Sequence, residues 1–302
     1  EHRAMALEAA LQSFVLLKNG GALPLSAAVR KIGVIGPSAD KARLGGYTCA
    51  DARAVTPIEG LRARAPAGVE ILHAEGCKLV YPSREGFAEA VRIAAASDVV
   101  LMFMGNSSDK IIGQPETTEG ERHDRHNLDL PGVQEDLILE VAKANPNVVV
   151  VLQNGSAVTM RQWIDSVNAV LEIWYAGAEC GNAVAKVVFG DYNPGGRLPI
   201  TFPRHSGQLP LYYNPRPHGR VADYCDCRGK LEQFEFGFGL SYTTFEYTDL
   251  AVRKQGSGKG LKVRVTCAVK NTGARAGDEV VQLYLRDVFS RMVTGSRSVL
   301  SI

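Results

Sequence analysis

The segment Thr117–Gly132, TTEGERHDRHNLDLPG, places Glu119, Glu121, Arg122, His123, Asp124, Arg125 and His126 within eight consecutive positions, just ahead of an apolar stretch. A charge run of this kind is commonly no more than a solvated loop. It can also do acid/base chemistry: a carboxylic acid becomes a useful proton donor near neutral pH when partial burial or a second carboxylate raises its pKa. Glu119 and Glu121 are two residues apart, so each can perturb the other, and an ion pair between Asp124 and Arg125 would fix the loop.

Other constellations are weaker. Gly33–Gly36 followed by Pro37-Ser38-Ala39 has neither the G-x-G-x-x-G spacing nor the lysine of a phosphate loop, and reads as a tight βα turn. No serine lies in a G-x-S-x-G context and no H-E-x-x-H occurs. His123 and His126 are three apart, but no further metal ligands accompany them. Cys225-Asp-Cys227 lacks a companion pair at zinc-like spacing, so no metal is expected, and the six scattered cysteines leave the redox compartment open.

The elements that would position the loop alternate. Apolar spacing predicts a helix from Met5 to Leu17, stopped by Gly20-Gly21, then strands at 31–36, 69–73, 99–105, 148–152 and 169–175. Helices are expected at 57–64 with Thr56 as cap, and at 84–96, 131–144, 158–166 and 182–189. Val99–Gly105 is uniformly apolar, as parallel strands covered on both faces tend to be. The fold class is therefore α/β, an open α/β sandwich with a mainly parallel sheet. The charged loop, 106–130, leaves the end of such a strand, where sheets of this type usually bind ligands. After Pro194 the period changes. Residues 1–202 form the sandwich domain, 203–246 an irregular wrapping linker, and 247–302 the start of a β domain, with strands at 262–270 and 279–285.

Composition sets the outer bounds. The 302 residues are 45% hydrophobic and 22% charged, with a formal net charge of +2. That allows a sizeable core and gives no basic stripe for nucleic acid. The apolar runs are far below the roughly 20 residues of a membrane span. The chain opens on Glu1-His2-Arg3 inside a helical pattern and stops at Ile302 with a β-rich segment unfinished, so it reads as a piece of something longer.

Several stretches carry a family resemblance. They are His2–Ala10 with Ser13–Asn19, Thr56–Leu61, Gly76-Cys77, Leu128–Gln134, GDYNPGGRLPITFP at 190–203 and FGFGLSYTTF at 236–245. With these the chain resembles, nearly end to end, the second domain of the glycoside hydrolase family 3 β-glycosidases. Asn271-Thr-Gly and Gly277–Tyr284 look like the beginning of the family's fibronectin-III-like domain.

The resemblance implies a retaining exo-β-glycosidase, β-glucosidase first and β-xylosidase second, acting on oligosaccharides or β-glycosides with no cofactor. Its nucleophilic aspartate would belong to a preceding (β/α)₈ barrel of about 250 residues, and its acid/base glutamate to this domain. Gly120-Glu121-Arg-His-Asp124-Arg125 fits the family's loop frame, which assigns the acid/base role to Glu121, with Glu119 as the alternative. Asp124 and Arg125 would order the loop beside the substrate. A secreted or periplasmic location follows from family habit, and a homodimer is left open. Glu235 replaces a usual proline and Gly155-Ser-Ala a commoner Gly-Arg-Pro; both read as tolerated. The competing readings are a non-catalytic carbohydrate-binding or domain-packing module and, more weakly, a nucleotide- or flavin-binding sandwich.

Overall fold

The computed structural model describes residues 1–49, 52–109, 116–214, 224–227, 232–285 and 298–301. Its centre is a six-stranded sheet. Helix α1 (His2–Ser13) leads into β1 (Val15–Asn19), followed by β2 (Lys31–Ile35), α2 (Pro57–Arg64), β3 (Glu70–Ala74), α3 (Phe87–Ala95) and β4 (Val99–Gly105). Then come α4 (Gln134–Ala144), β5 (Val148–Gln153), β6 (Ala169–Glu172) and α5 (Cys180–Val188). The strand order is β1-β6-β5-β4-β2-β3, parallel throughout except for β1, which pairs antiparallel with β6.

Alternation along β4 divides the core into two layers. Val100, Met102 and Met104 face Ala90, Ile93, Leu137, Ile138 and Val141 of α3 and α4. Val99, Leu101 and Phe103 face Ala10, Leu11, Ile58, Leu61 and Val184 of α1, α2 and α5. Every residue of β4 and β5 is buried, which explains why these strands carry no polar alternation. Each fully buried aliphatic side chain contributes about 1.5–3 kcal/mol. Thr56 caps α2 with a reciprocal capping box: its hydroxyl accepts from Glu59 N, and the Glu59 carboxylate accepts from Thr56 N. Gly60 and Gly181 bring α2 and α5 into backbone contact, since a Cβ on Gly60 would stand 2.0 Å from the Gly181 carbonyl oxygen.

Three expectations are corrected. The first helix ends at Ser13, and Val15–Asn19 is a strand. Its apolar side chains suit either state, and the open edge of β6 decides, through the register Val15–Glu172 to Asn19–Ala169. Residues 158–166 do not form a helix beyond a short 3₁₀ turn at Ile164–Ser166. Val158, Met160 and Trp163 are fully buried, and Thr159 N donates to Leu128 O at 2.9 Å, so tertiary pairing overrides the helical spacing. Helix α4 begins at Gln134, three residues after Pro131.

Beyond α5, β7 (Phe202–Pro203) pairs with β8 (Glu232–Phe234), and Leu240 bridges to Leu16 of β1. Phe234 and Phe238 pack on the main core; residues 215–223 and 228–231 lie outside the described residues. An antiparallel ribbon of β9 (Phe245–Gln255) and β10 (Lys262–Asn271) follows, with β11 (Gln282–Leu285) pairing β12 (Ser298–Ser301). Strand β9, which no alternation announced, has no buried residue, only half-buried Phe245 and Ala251 among exposed ones. Arg197 joins the sandwich to the β region by an ion pair of 2.7 Å with Glu279. Among the described residues no helix is long and apolar enough to cross a membrane.

Candidate active site

The sheet has a topological switch point between β2 and β4: the chain goes from β2 outward to β3, then crosses back to β4 on the other side of β2. Open α/β sheets bind ligands at the carboxyl ends of strands at such a point. Two loops leave from it, one after β2 and the charged one after β4. Residues 110–115 of the latter lie outside the described residues.

The charged loop starts from Gly105, whose φ is 143°. A Cβ there would lie 2.1 Å from the Gln153 carbonyl oxygen, so only glycine fits. Buried Gln134, the last residue of the Leu-Pro-Gly-Val-Gln run, binds both backbone groups of Gly105: its Oε1 accepts from Gly105 N and its Nε2 donates to Gly105 O, each at 2.9 Å. Buried Arg43, from the β2 loop, reaches Asp109 at 3.5 Å and Glu116 at 3.8 Å. On the returning limb, Thr118 N and Glu119 N both donate to Ser107 O.

Glu119 and Glu121 have opposite surroundings. Glu119 is 6% exposed. Its Oε1 accepts from Gly155 N at 2.6 Å and from the Tyr175 phenol at 2.5 Å, and its Oε2 accepts from Ser156 Oγ at 2.6 Å. Arg125 approaches Oε2 at 3.6 Å. Glu121 is exposed and occupies a tight turn closed by His123 N donating to Gly120 O at 3.0 Å. The turn is bracketed by positive φ values at Gly120 (109°) and Arg122 (66°). The Tyr47 phenol, on the β2 loop, donates to the Glu121 carboxylate, so the two switch-point loops meet there.

Arg125 contacts the Glu119 carboxylate and donates to Ser156 Oγ (3.2 Å) and Asp129 O (2.8 Å). Its ion pair is with Glu119 and not with Asp124, because the Arg125 side chain turns inward while Asp124 stays exposed. Both residues line an open cleft of about 480 Å³ together with His126, Asn127, Asp129 and Glu135. Burial lowers the Arg125 pKa despite its carboxylate neighbour. Burial, then the Asp129 carboxylate, raises Glu135 to about 7.

A second carboxyl stands behind the first. Glu172, at the end of β6, is fully buried, and burial raises its pKa well above the carboxylate range. It accepts from Asn154 Nδ2 at 3.0 Å and from Trp174 N at 2.9 Å. Asn154 also donates to Ser156 O at 2.8 Å. Trp174 has φ 54°, and the next residue is Tyr175. Glu172 therefore braces both segments that hold Glu119. Burial and the adjacent Glu119 raise the Tyr175 phenol pKa.

Sequence reasoning missed Tyr47, Ser156, Tyr175 and Glu172. No local spacing links them to the loop; only their convergence on Glu119 and Glu121 does. The one available signal was Gly155-Ser156, read as a tolerated replacement and found at the Glu119 carboxylate, where a Cβ on Gly155 would meet the Tyr175 ring at 2.9 Å. Among the described residues no group of three or more His, Cys, Asp and Glu side chains gathers as for a metal ion. His123 and His126 are both exposed.

An open α/β sandwich with a carboxylate-bearing loop at its switch point is the class that fold and site define. The glycosyl hydrolase family 3 C-terminal domain matches residues 14–242, and the chain belongs to that family. It is 39% identical over 302 residues to a β-xylosidase of Formosa agariphila, an alignment covering 96% of this chain and 41% of that protein. It is 35% identical to a periplasmic β-glucosidase of Salmonella typhimurium, with the same coverages of 96% and 41%. A solved β-glucosidase from Erythrobacter marinus superposes with a TM-score of 0.90 at 34% identity, covering 99% of this chain and 43% of that one. The chain thus spans about two fifths of the length of these relatives.

Proposed function

We propose that this chain is the acid/base-bearing part of a retaining exo-β-glycosidase that removes terminal β-linked sugars, β-glucosides first and β-xylosides second. In this reading Glu121 protonates the glycosidic oxygen while a carboxylate on a separate (β/α)₈ barrel domain attacks the anomeric carbon. Glu121 then takes a proton from the water that hydrolyses the covalent glycosyl-enzyme. The two carboxyls would stand about 5–5.5 Å apart.

The observation that carries this reading is the contrast within one loop. Glu121 is exposed on a turn at the carboxyl edge of the sheet, where the Tyr47 phenol meets its carboxylate, while Glu119 is buried under the loop with both oxygens accepting hydrogen bonds. A group that exchanges protons with substrate and water has to be within hydrogen-bond reach of both, which only Glu121 offers. The names of the relatives, one a β-xylosidase and one a periplasmic β-glucosidase, support the substrate class and a location outside the cytoplasm.

The test compares aryl β-glucoside and β-xyloside turnover by this chain alone and by a polypeptide that also carries an upstream barrel. The expected result is activity only in the second. There, Glu121→Gln should slow glycosides with poor leaving groups sharply and spare activated aryl glycosides. Turnover by the isolated 302 residues would refute the shared site, and would also remove the competing reading of a non-catalytic packing or carbohydrate-binding module.

A further inference from the structure

We infer that Glu119 is a positioning residue for the acid/base, a buried carboxylate that fixes where the Glu121 turn stands relative to the sheet. The inference rests on the assignment of Glu121 above and adds to it a residue and a role.

The geometry gives the loop two limbs that meet at one buried carboxylate. Before the turn, Thr118 N and Glu119 N are held by Ser107 O at 2.8 and 3.2 Å. After it, Arg125 is held by Ser156 and by the Asp129 carbonyl. The limbs converge on the Glu119 carboxylate, which binds Arg125 of the returning limb and also Gly155, Ser156 and Tyr175, which belong to the ends of two other strands. Beyond this point the turn 120–123 projects with its own internal hydrogen bond and with the Tyr47 phenol on the Glu121 carboxylate.

One intervening residue separates Glu119 from Glu121, so Glu121 lies within about 7 Å of the anchored backbone. Any slip at the anchor passes directly to the reacting carboxyl. A misplacement of about 1 Å at a reacting group costs on the order of a hundredfold in rate. The anchor is itself rigidly backed. Asn154, bonded to Glu172, orders the Gly155–Ser156 corner, and Glu172 also accepts from Trp174 N next to Tyr175. A loop that needed only to be tethered would not require four donors from three parts of the chain on one buried carboxylate.

The experiment uses the complete polypeptide that carries this chain together with its barrel. Glu119→Gln, Ser156→Ala and Tyr175→Phe are assayed well below their unfolding temperatures, on glycosides with good and poor leaving groups, with and without azide. The expected result is a kcat loss of roughly ten- to a hundredfold on poor leaving groups, larger than on activated ones, with KM little changed. Azide should not rescue any of them.

Azide is the control that separates the two assignments. It attacks the anomeric carbon of the glycosyl-enzyme, displacing the enzyme carboxylate and forming a glycosyl azide without base assistance. It should therefore restore turnover of activated substrates to Glu121→Ala but not to Glu119→Ala. If Ser156→Ala and Tyr175→Phe, both folded, keep kcat on poor leaving groups within twofold of the parent, the positioning role is wrong. If Glu119→Ala yields glycosyl azide, Glu119 is itself the acid/base and both assignments fall. If Glu121→Ala is not rescued, the assignment of Glu121 fails on its own account.

Discussion

Glu119 and Glu121, two residues apart, stand on opposite sides of one turn: Glu119 lies under the loop at 6% exposure, and Glu121 lies outside it, exposed and in contact with Tyr47. Their stability effects should differ accordingly. Glu121→Gln should move the folding free energy of the chain by less than about 0.5 kcal/mol, as exposed substitutions do. Glu119→Gln sets an amide N–H₂ against buried donors and should cost about 1–3 kcal/mol. Denaturant titration of the two variants checks this, and equal losses would contradict it.

Arg122 occupies the left-handed region at φ 66°, which glycine adopts without cost. Arg122→Gly should therefore stabilise the turn by about 0.5–1 kcal/mol once the greater freedom of glycine in the unfolded chain is counted against the relieved strain. A lower thermal midpoint for this variant would mean that the Arg122 side chain contributes more than its backbone strain costs.

Glu135 gives a pH dependence with a definite sign. Its pKa is raised from 4.5 to about 7 by burial and then by Asp129. Between those values the folded chain keeps a proton that the unfolded chain has lost, so the contribution of this group to stability falls as pH rises through the window. Glu135→Gln removes that dependence. The stability of the variant relative to the parent should rise from pH 4.5 to about 7 and level off above, as read by thermal melts across the range; a flat difference would be the contrary result.

Gly181→Ala tests the helix contact beneath the β2 loop. The added Cβ would lie 1.9 Å from the Thr56 carbonyl oxygen, the residue that caps α2. Backbone on both sides leaves nothing flexible to yield, so a loss of about 1–3 kcal/mol or more is expected from urea unfolding. A neutral outcome would show that α2 and α5 can separate at little cost.

Local patterns were enough for elements whose partners hardly matter. Helix α2 begins at Pro57 with its Thr56 cap because the capping box is satisfied by residues three apart. Strands β4 and β5 are buried at every position and apolar up to the closing Gln153 of β5 because both faces are covered, and that property shows in composition alone. Val15–Asn19 failed the same kind of reading because its spacing suits a helix and a strand equally, and the pairing that settles it lies more than 150 residues away at Glu172. The segment 158–166 failed for a related reason: Thr159 pairs with Leu128, and no short-range signal reports this.

For the site, sequence by itself determined the chemistry on offer: two carboxylates, an arginine and a helix start in one loop after a buried strand, in a frame that belongs to a glycosidase family. The family frame put Glu121 ahead of Glu119, but the charge run by itself gives no physical reason for that order, since two carboxylates in one run are equivalent until their environments are known. Only the tertiary structure decided that Glu119 turns inward onto Gly155, Ser156 and Tyr175 while Glu121 turns outward toward Tyr47. The physical reason is that proton-transfer capacity depends on burial and hydrogen-bond partners, and those partners come from the ends of β5 and β6 and from the β2 loop, brought together at the switch point of the sheet.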